Sequence, residues 1–254
     1  MKDKLRKAAI VLLTIIFIVS TSIFLIQLYQ QHLASKAYDQ AEQIALHADA
    51  SGNQAAQLPE AVQPVMNLDL PLLQDVNADV MGWIYIPDTD ISYPLMRSKD
   101  NKEYLKQTWD LTNSVAGSIF LDYENSADFS DFNTLIYGHN MKNGSMFSQL
   151  HDYQNQNFAD QHPYVYIITE DKIMEYQIFS AYTADVFADT YRLVFEDDSI
   201  KQGAVDYYKD QSVIKSQVEP SIEDRILTLS TCTGRGNYKY RWVVQTVFVN
   251  EYNR

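Results

Sequence analysis

Eight short runs rich in Ile, Val, Tyr, Phe and Thr, broken by turns, fill the chain from Gly82 onward and limit what it can fold into. They read WIYI, ISYPL, SIFLD, TLIY, YVYIIT, IMEYQIFSAYTADV, RILTLS and RWVVQTVFV, all in residue types that suit a pleated surface. PDTD at 87–90 supplies the turn between the first two, and EDK joins the fifth to the sixth. Few of these runs are separated by helical pattern, so the expected fold is a mostly antiparallel barrel or sandwich. Two insertions read as helical, MFSQLHDY at 146–153 and DDSIKQGAVDYYKDQSVIKSQ at 197–217. The second is long for a strand connection, which is common at functional sites and nearly as common in a surface decoration.

The other end of the chain is different. Lys2, Lys4, Arg6 and Lys7 precede an uncharged stretch from Ala8 to Ile26, whose 19 residues would span about 28 Å as a helix, close to a bilayer's apolar thickness. A cleaved signal peptide is the competing reading. Its apolar region is shorter and ends in small residues, whereas Phe24, Leu25, Ile26 and Leu28 are bulky. The expectation is an uncleaved anchor over 8–28, with 1–7 as a cytoplasmic tail by the positive-inside rule and everything beyond exported. Residues 29–78 are then expected as an extracellular helical stalk and linker, and 79–254 as the main folded domain. A short helix is expected in LPLLQDVNADVMGW, with Pro71 in its first turn.

The chain carries a net charge of −13, and its first seven residues carry +3, leaving −16 on the exported part. So acidic a surface argues against nucleic acid or anionic lipid as the main partner. The single cysteine, Cys232, cannot form an intramolecular disulfide. In an exported chain it is a reactive thiol, an intermolecular pairing site, or a small buried hydrophobe.

Alternation in ILTLSTC puts Ile226, Thr228, Ser230 and Cys232 on one face and Leu227, Leu229 and Thr231 on the other. Cys232 thus falls on the more polar face, at a strand's C-terminal end. If the last two strands form a hairpin around TGRGNYKY, Arg241 stands opposite Cys232. A guanidinium there can hold an oxyanion or grip substrate carbonyls. Arg235, in the Gly-flanked loop, is the rival, and the firmer strand start favours Arg241.

A thiol nucleophile also needs an imidazole. His32 and His47 lie in the stalk, while His151 and His162 read as ordinary surface residues. His139, at a strand end after Gly138, is the candidate, with Gly138 giving backbone freedom. Nothing has the spacing of a zinc site, and no metal or other cofactor is expected.

TLSTC followed by an Arg at the head of the next strand, together with FSDFNTLIYGHNMKNGSMF, GWIYIPDTDISYPLM and DNKEYL, resembles the sortases, and most closely class B. The resemblance covers about Val80 to Tyr252. It implies a mainly β fold, an eight-stranded sortase-type β-barrel with N-terminal helices and a helical insertion between strands 6 and 7. It also implies a membrane-tethered cysteine transpeptidase outside a Gram-positive cell. Cys232 would be the nucleophile, His139 the general acid/base, and Arg241 the stabiliser of oxyanion and substrate. Asn101, Leu105, Tyr137, Tyr191 and Ser230 would line the substrate groove. Expected partners are secreted proteins with a C-terminal sorting signal, cleaved after Thr through a thioacyl-enzyme, and an amine acceptor from the peptidoglycan precursor or a pilin lysine. Class B relatives often anchor haem-uptake proteins, and some assemble pili. Three readings stay open beside the cell-wall one: a pilin polymerase, a cysteine peptidase using water, and a tethered binding module in which Cys232 only packs.

Overall fold

The computed structural model describes residues 2–46, 59–234 and 238–254. His47, most of the expected linker and Arg235 fall outside those residues. Eight strands close into a barrel: β1 (Val80–Tyr85), β2 (Ser92–Arg97), β3 (Ile119–Leu121), β4 (Asn133–Tyr137), β5 (Tyr164–Ile168), β6 (Lys172–Asp185), β7 (Ile226–Cys232) and β8 (Tyr240–Asn253). Their order around the barrel is β1-β2-β3-β4-β7-β8-β6-β5. This is a barrel rather than a sandwich, and every strand has two neighbours. Two pairings, β2 with β3 and β4 with β7, are parallel, and the others are antiparallel. The β4–β7 pairing matters most for the site, because it lays Tyr137 beside Ser230 across 93 residues of chain.

The inward face follows the alternation. Leu227 and Leu229 of β7 join Ile84, Leu95, Ile119, Ile136 and Val244 in the barrel core, all fully buried. Thr228 and Ser230 are also buried, but hydrogen-bonded: Thr228 Oγ1 donates to Asn133 Oδ1 at 2.8 Å, and Ser230 Oγ lies 2.9 Å from the Tyr191 hydroxyl. The polar stripe of β7 therefore runs beneath the β6–β7 connection. That connection carries a short 3₁₀ turn, Asp189–Tyr191, and one longer helix. The expected helix over 146–153 is a 3₁₀ segment, Ser148–Gln154, followed by an α-helical turn over Gln156–Gln161. Asn155 separates the two and caps the second, its side chain accepting from Asn157 N.

Among the described residues, four α-helices accompany the barrel: α1 (Lys2–Leu46), α2 (Leu70–Gln74), α3 (Gln156–Gln161) and α4 (Asp198–Gln211). Asp69 caps α2, with Pro71 in its first turn as expected. Asp197 caps α4, accepting from Ile200 N, and Ala204, Val205 and Tyr208 bury its inner face. α4 ends at Gln211, so the last residues of the expected 197–217 helix run on as irregular chain.

α1 has no Gly or Pro from end to end, and its first part exposes Ile10, Leu12, Phe17 and Phe24. It is long and apolar enough to cross a membrane. Its last turns behave otherwise. Ala34, Ala37, Ala41 and Ala45, spaced three and four apart, are all buried. Small side chains let the helix lie close, and Trp109 Nε1 donates to Ala37 O at 2.7 Å. The end of the helix is therefore part of the folded unit, packed with α2 and β2.

Candidate active site

Strand ends build the site. β7 finishes at Cys232, the one cysteine in the chain, and β8 begins at Tyr240. In their antiparallel register Cys232 pairs with Arg241, as the hairpin reading expects. On the other side of β7, Gly138 N donates to Ser230 O at 3.1 Å and extends the β4–β7 ladder by one bond. The chain then turns away at His139. Asn101, Leu105, Phe120, Tyr137, Gly138, His139, Ser230, Thr231, Cys232 and Arg241 line one cleft of about 280 Å³. All of the expected site residues are either in this lining or, for Tyr191, bonded to it through Ser230.

Each side chain is held by its neighbours. His139 Nε2 lies 2.8 Å from Leu105 O. A carbonyl only accepts, so Nε2 donates, and in the neutral form of the ring Nδ1 is the nitrogen with the lone pair. Arg241 donates to Tyr238 O at 3.2 Å and Tyr240 O at 3.0 Å. Among the described residues no carboxylate forms an ion pair with it, so its charge is available to a ligand. Asp122, almost fully buried, accepts at one oxygen from Asn101 Nδ2 and from Tyr137 Oη, both at 2.8 Å. This carboxylate ties two groove residues together, and the sequence reading did not find it. Burial is the main reason the Tyr137 phenol is held well above the usual range, with Asp122 adding to it. Burial likewise pushes Tyr191 up to about 12, partly offset by its bond to Ser230. Both remain neutral hydrogen-bonding groups at physiological pH.

Gly138 is required for another reason than backbone freedom. A Cβ there would stand 2.4 Å from Ile119 Cδ1 and 2.7 Å from Phe147 Cγ and Cδ2, so packing space forces the glycine. The expectation for His151 also needs correcting. It is half-buried, stacks on Trp242 with ring centroids 5.7 Å apart, and brings Nε2 within 3.0 Å of Cys232 O. His162, the other histidine read as a surface residue, is partly buried, with Nδ1 3.0 Å from Pro87 O. Phe120 and Thr231 are further lining residues that no motif singled out.

A closed barrel whose rim brings one thiol, one imidazole and one guanidinium to a shared cleft has the parts of an enzyme that transfers acyl groups through a cysteine. Comparison with known proteins narrows that class. The sortase domain family matches residues 84–249. Sortase B of Listeria monocytogenes is 40% identical over 180 residues, covering 70% of this chain and 73% of that protein. Sortase B of Staphylococcus aureus is 36% identical over 160 residues, covering 63% of this chain and 66% of that protein. Among solved structures, a substrate complex of S. aureus sortase B superposes with a TM-score of 0.74 at 28% identity, over 87% of this chain and 99% of that one. A sortase B complexed with triglycine gives 0.75 at 29% identity, with the same coverage. The chain belongs to the sortase family, and it is a transpeptidase of class B.

Proposed function

We propose that this enzyme cleaves the C-terminal sorting signal of secreted proteins after a threonine and joins the new end to an amine of the cell-wall precursor. Cys232 Sγ attacks the threonine carbonyl carbon, and the thiol proton passes to His139. With Nε2 engaged by Leu105 O, Nδ1 is the nitrogen that takes it. Arg241 stabilises the oxyanion of the tetrahedral intermediate. The C–N bond breaks, His139 returns the proton to the leaving amine, and a thioester remains on Cys232. The acceptor amine attacks this thioester and loses a proton to His139. The thiolate leaves, and a new amide bond balances the one broken. Asn101, Leu105, Tyr137, Tyr191 and Ser230 form the groove that holds the signal.

The layout that goes with this chemistry is a cytoplasmic tail over 1–7, a membrane span over 8–28, an extracellular segment over 29–78 and the catalytic domain over 79–254. Confinement to one membrane raises the local concentration of enzyme and substrates for each other.

The observation that carries the proposal is the single cleft shared by Cys232, His139 and Arg241 with four of the five groove residues. The test is intact-mass spectrometry after incubation with a pool of Thr-containing pentapeptides. The expected result is an acyl adduct on the wild-type enzyme that triglycine discharges as a peptide product, with no adduct on Cys232→Ala. An adduct that only water discharges would make the enzyme a peptidase. Turnover by Cys232→Ala would remove the thiol from the mechanism.

A further inference from the structure

The carbonyl of Cys232 occupies an unusual place. Within β7, carbonyls two apart point to the same side. Ser230 O, on the β4 side, accepts from Gly138 N. Cys232 O is the next acceptor on that side, but β4 has already turned away at His139, so the ladder has no backbone donor left to give it. Two side chains take that place. Asn140 Nδ2 donates to Cys232 O at 3.0 Å, and His151 Nε2 lies at 3.0 Å from the same oxygen.

The ring has two further polar neighbours: Asn140 Nδ2 lies 3.0 Å from His151 Nε2, and Gln154 Nε2 lies 3.2 Å from His151 Nδ1. In the tautomer with the proton on Nε2, Nδ1 accepts from the Gln154 amide, and Nε2–H and the Asn140 amide converge on Cys232 O. The face of the ring stacks on Trp242 at an interplanar angle of 24°. Trp242 is itself anchored, with Nε1 donating to Leu150 O at 2.6 Å, and it follows Arg241 in β8. One imidazole therefore touches the backbone of the nucleophile and the residue beside the guanidinium.

We infer that His151 is a positioning residue of the transpeptidase, which fixes the end of β7 so that the Cys232 sulfur stays in line with the substrate carbonyl. It replaces the missing ladder donor, and with Asn140 it doubly anchors a carbonyl that a frayed strand end would leave to water. It is not among the residues that line the cleft, and the acid/base role stays with His139. This inference rests on Cys232 being the nucleophile.

Two substitutions separate the hydrogen bond from the ring. His151→Phe keeps a ring on Trp242 and loses the donor. His151→Gln loses the ring and keeps a nitrogen donor near the Nε2 position. The assay measures kcat and KM with the best-cleaved peptide from a fluorogenic library of Thr-containing pentapeptides, with triglycine as amine. Alkylation of Cys232 by iodoacetamide is followed in parallel. Misplacing a reacting atom by about 1 Å costs up to about a hundredfold in rate. The expected result is a kcat at least tenfold lower in His151→Phe at nearly constant KM, recovery to within about threefold in His151→Gln, and alkylation within twofold of wild type in both. The reverse order, equal loss in both, wild-type rates in both, or alkylation falling in step with kcat would each overturn the positioning role. Full turnover by Cys232→Ala would instead overturn the reading of the nucleophile, whatever the His151 variants do.

Discussion

Gly138 joins β4 to His139, and replacing it with alanine tests whether packing there aims the imidazole. The added Cβ would lie 2.4 Å from Ile119 Cδ1 and 2.7 Å from two Phe147 ring atoms, against a comfortable carbon–carbon separation of about 3.5–4.0 Å. Ile119 and Phe147 are both fully buried in the barrel core, so neither can swing into solvent. The backbone has to yield instead. Gly138 N is bonded to Ser230 O, and His139 O accepts from Phe147 N at 3.0 Å, so any shift strains bonds on both sides of the histidine. Overpacking of this kind costs about 1–3 kcal/mol, and for a folded unit of this size that lowers Tm by about 2–12 °C. A displacement of about 1 Å at His139 would lower peptide turnover by up to about a hundredfold. Calorimetry of the full chain in detergent measures the first effect, and peptide cleavage at saturating substrate the second. An Ala variant with wild-type Tm and kcat would refute the packing argument. A lowered Tm with wild-type kcat would show that the glycine supports the core without aiming His139.

Two further outcomes follow from the same contacts. Arg241→Lys keeps a positive charge but loses the planar guanidinium, whose Nη1 bonds both Tyr238 O and Tyr240 O. If Arg241 holds the oxyanion, turnover falls by about 10²–10³ while Cys232 stays alkylatable, and wild-type kcat in this variant would exclude the role. Alkali should unfold the protein cooperatively. Burial holds Tyr191 at about 12 and raises Tyr137, Tyr153, Tyr176, Tyr182 and Tyr208 as well. Because the folded state keeps these phenols protonated, the stability they contribute is complete below about pH 10, where unfolded tyrosine titrates. It is lost as pH rises toward their folded values, at about 1.4 kcal/mol per group per pH unit. Several such groups exhaust a stability of about 5–15 kcal/mol within about two units. Exposed tyrosines such as Tyr123 and Tyr238 ionise with the fold intact, so the last phase of phenolate absorbance, from the buried rings, should coincide with the change in circular dichroism. Complete phenolate absorbance with the fold intact would contradict the burial of these rings.

What the sequence carried about the site was local. Period-two alternation in β7 and the short connection to β8 were enough to set Cys232 against Arg241, because a hairpin fixes its own register. His139 was legible as a residue at a strand end. The other relations depend on the parallel β4–β7 pairing, which no local pattern announces. Only that pairing ends the ladder at Gly138, leaves Cys232 O without a backbone donor from β4 and makes room for His151. A histidine in a 3₁₀ turn among Asp152, Gln154 and Asn155 reads as surface for the same reason. Asp122 escaped notice because its partners, Asn101 and Tyr137, are 21 and 15 residues away. Gly138 was found, but its reason lies in two side chains distant in sequence.

The alanine stripe of α1 is the one missed feature that did have a signal. Ala34, Ala37, Ala41 and Ala45 repeat at three- and four-residue spacing, the mark of a helix face that packs closely. Composition hid it, because the residues between are polar and read as a free stalk. The stripe changes how the anchor works. From Ile26, at the end of the uncharged stretch, to Ala34, the first docked residue, is eight residues of continuous helix, about 12 Å. On the membrane-anchored reading, the barrel is fixed to the same rigid rod that enters the bilayer, with no slack before the contact. An anchor of that kind would limit how far the cleft can move relative to the lipid, and a substrate held in the same membrane would have to extend its sorting signal to reach Cys232.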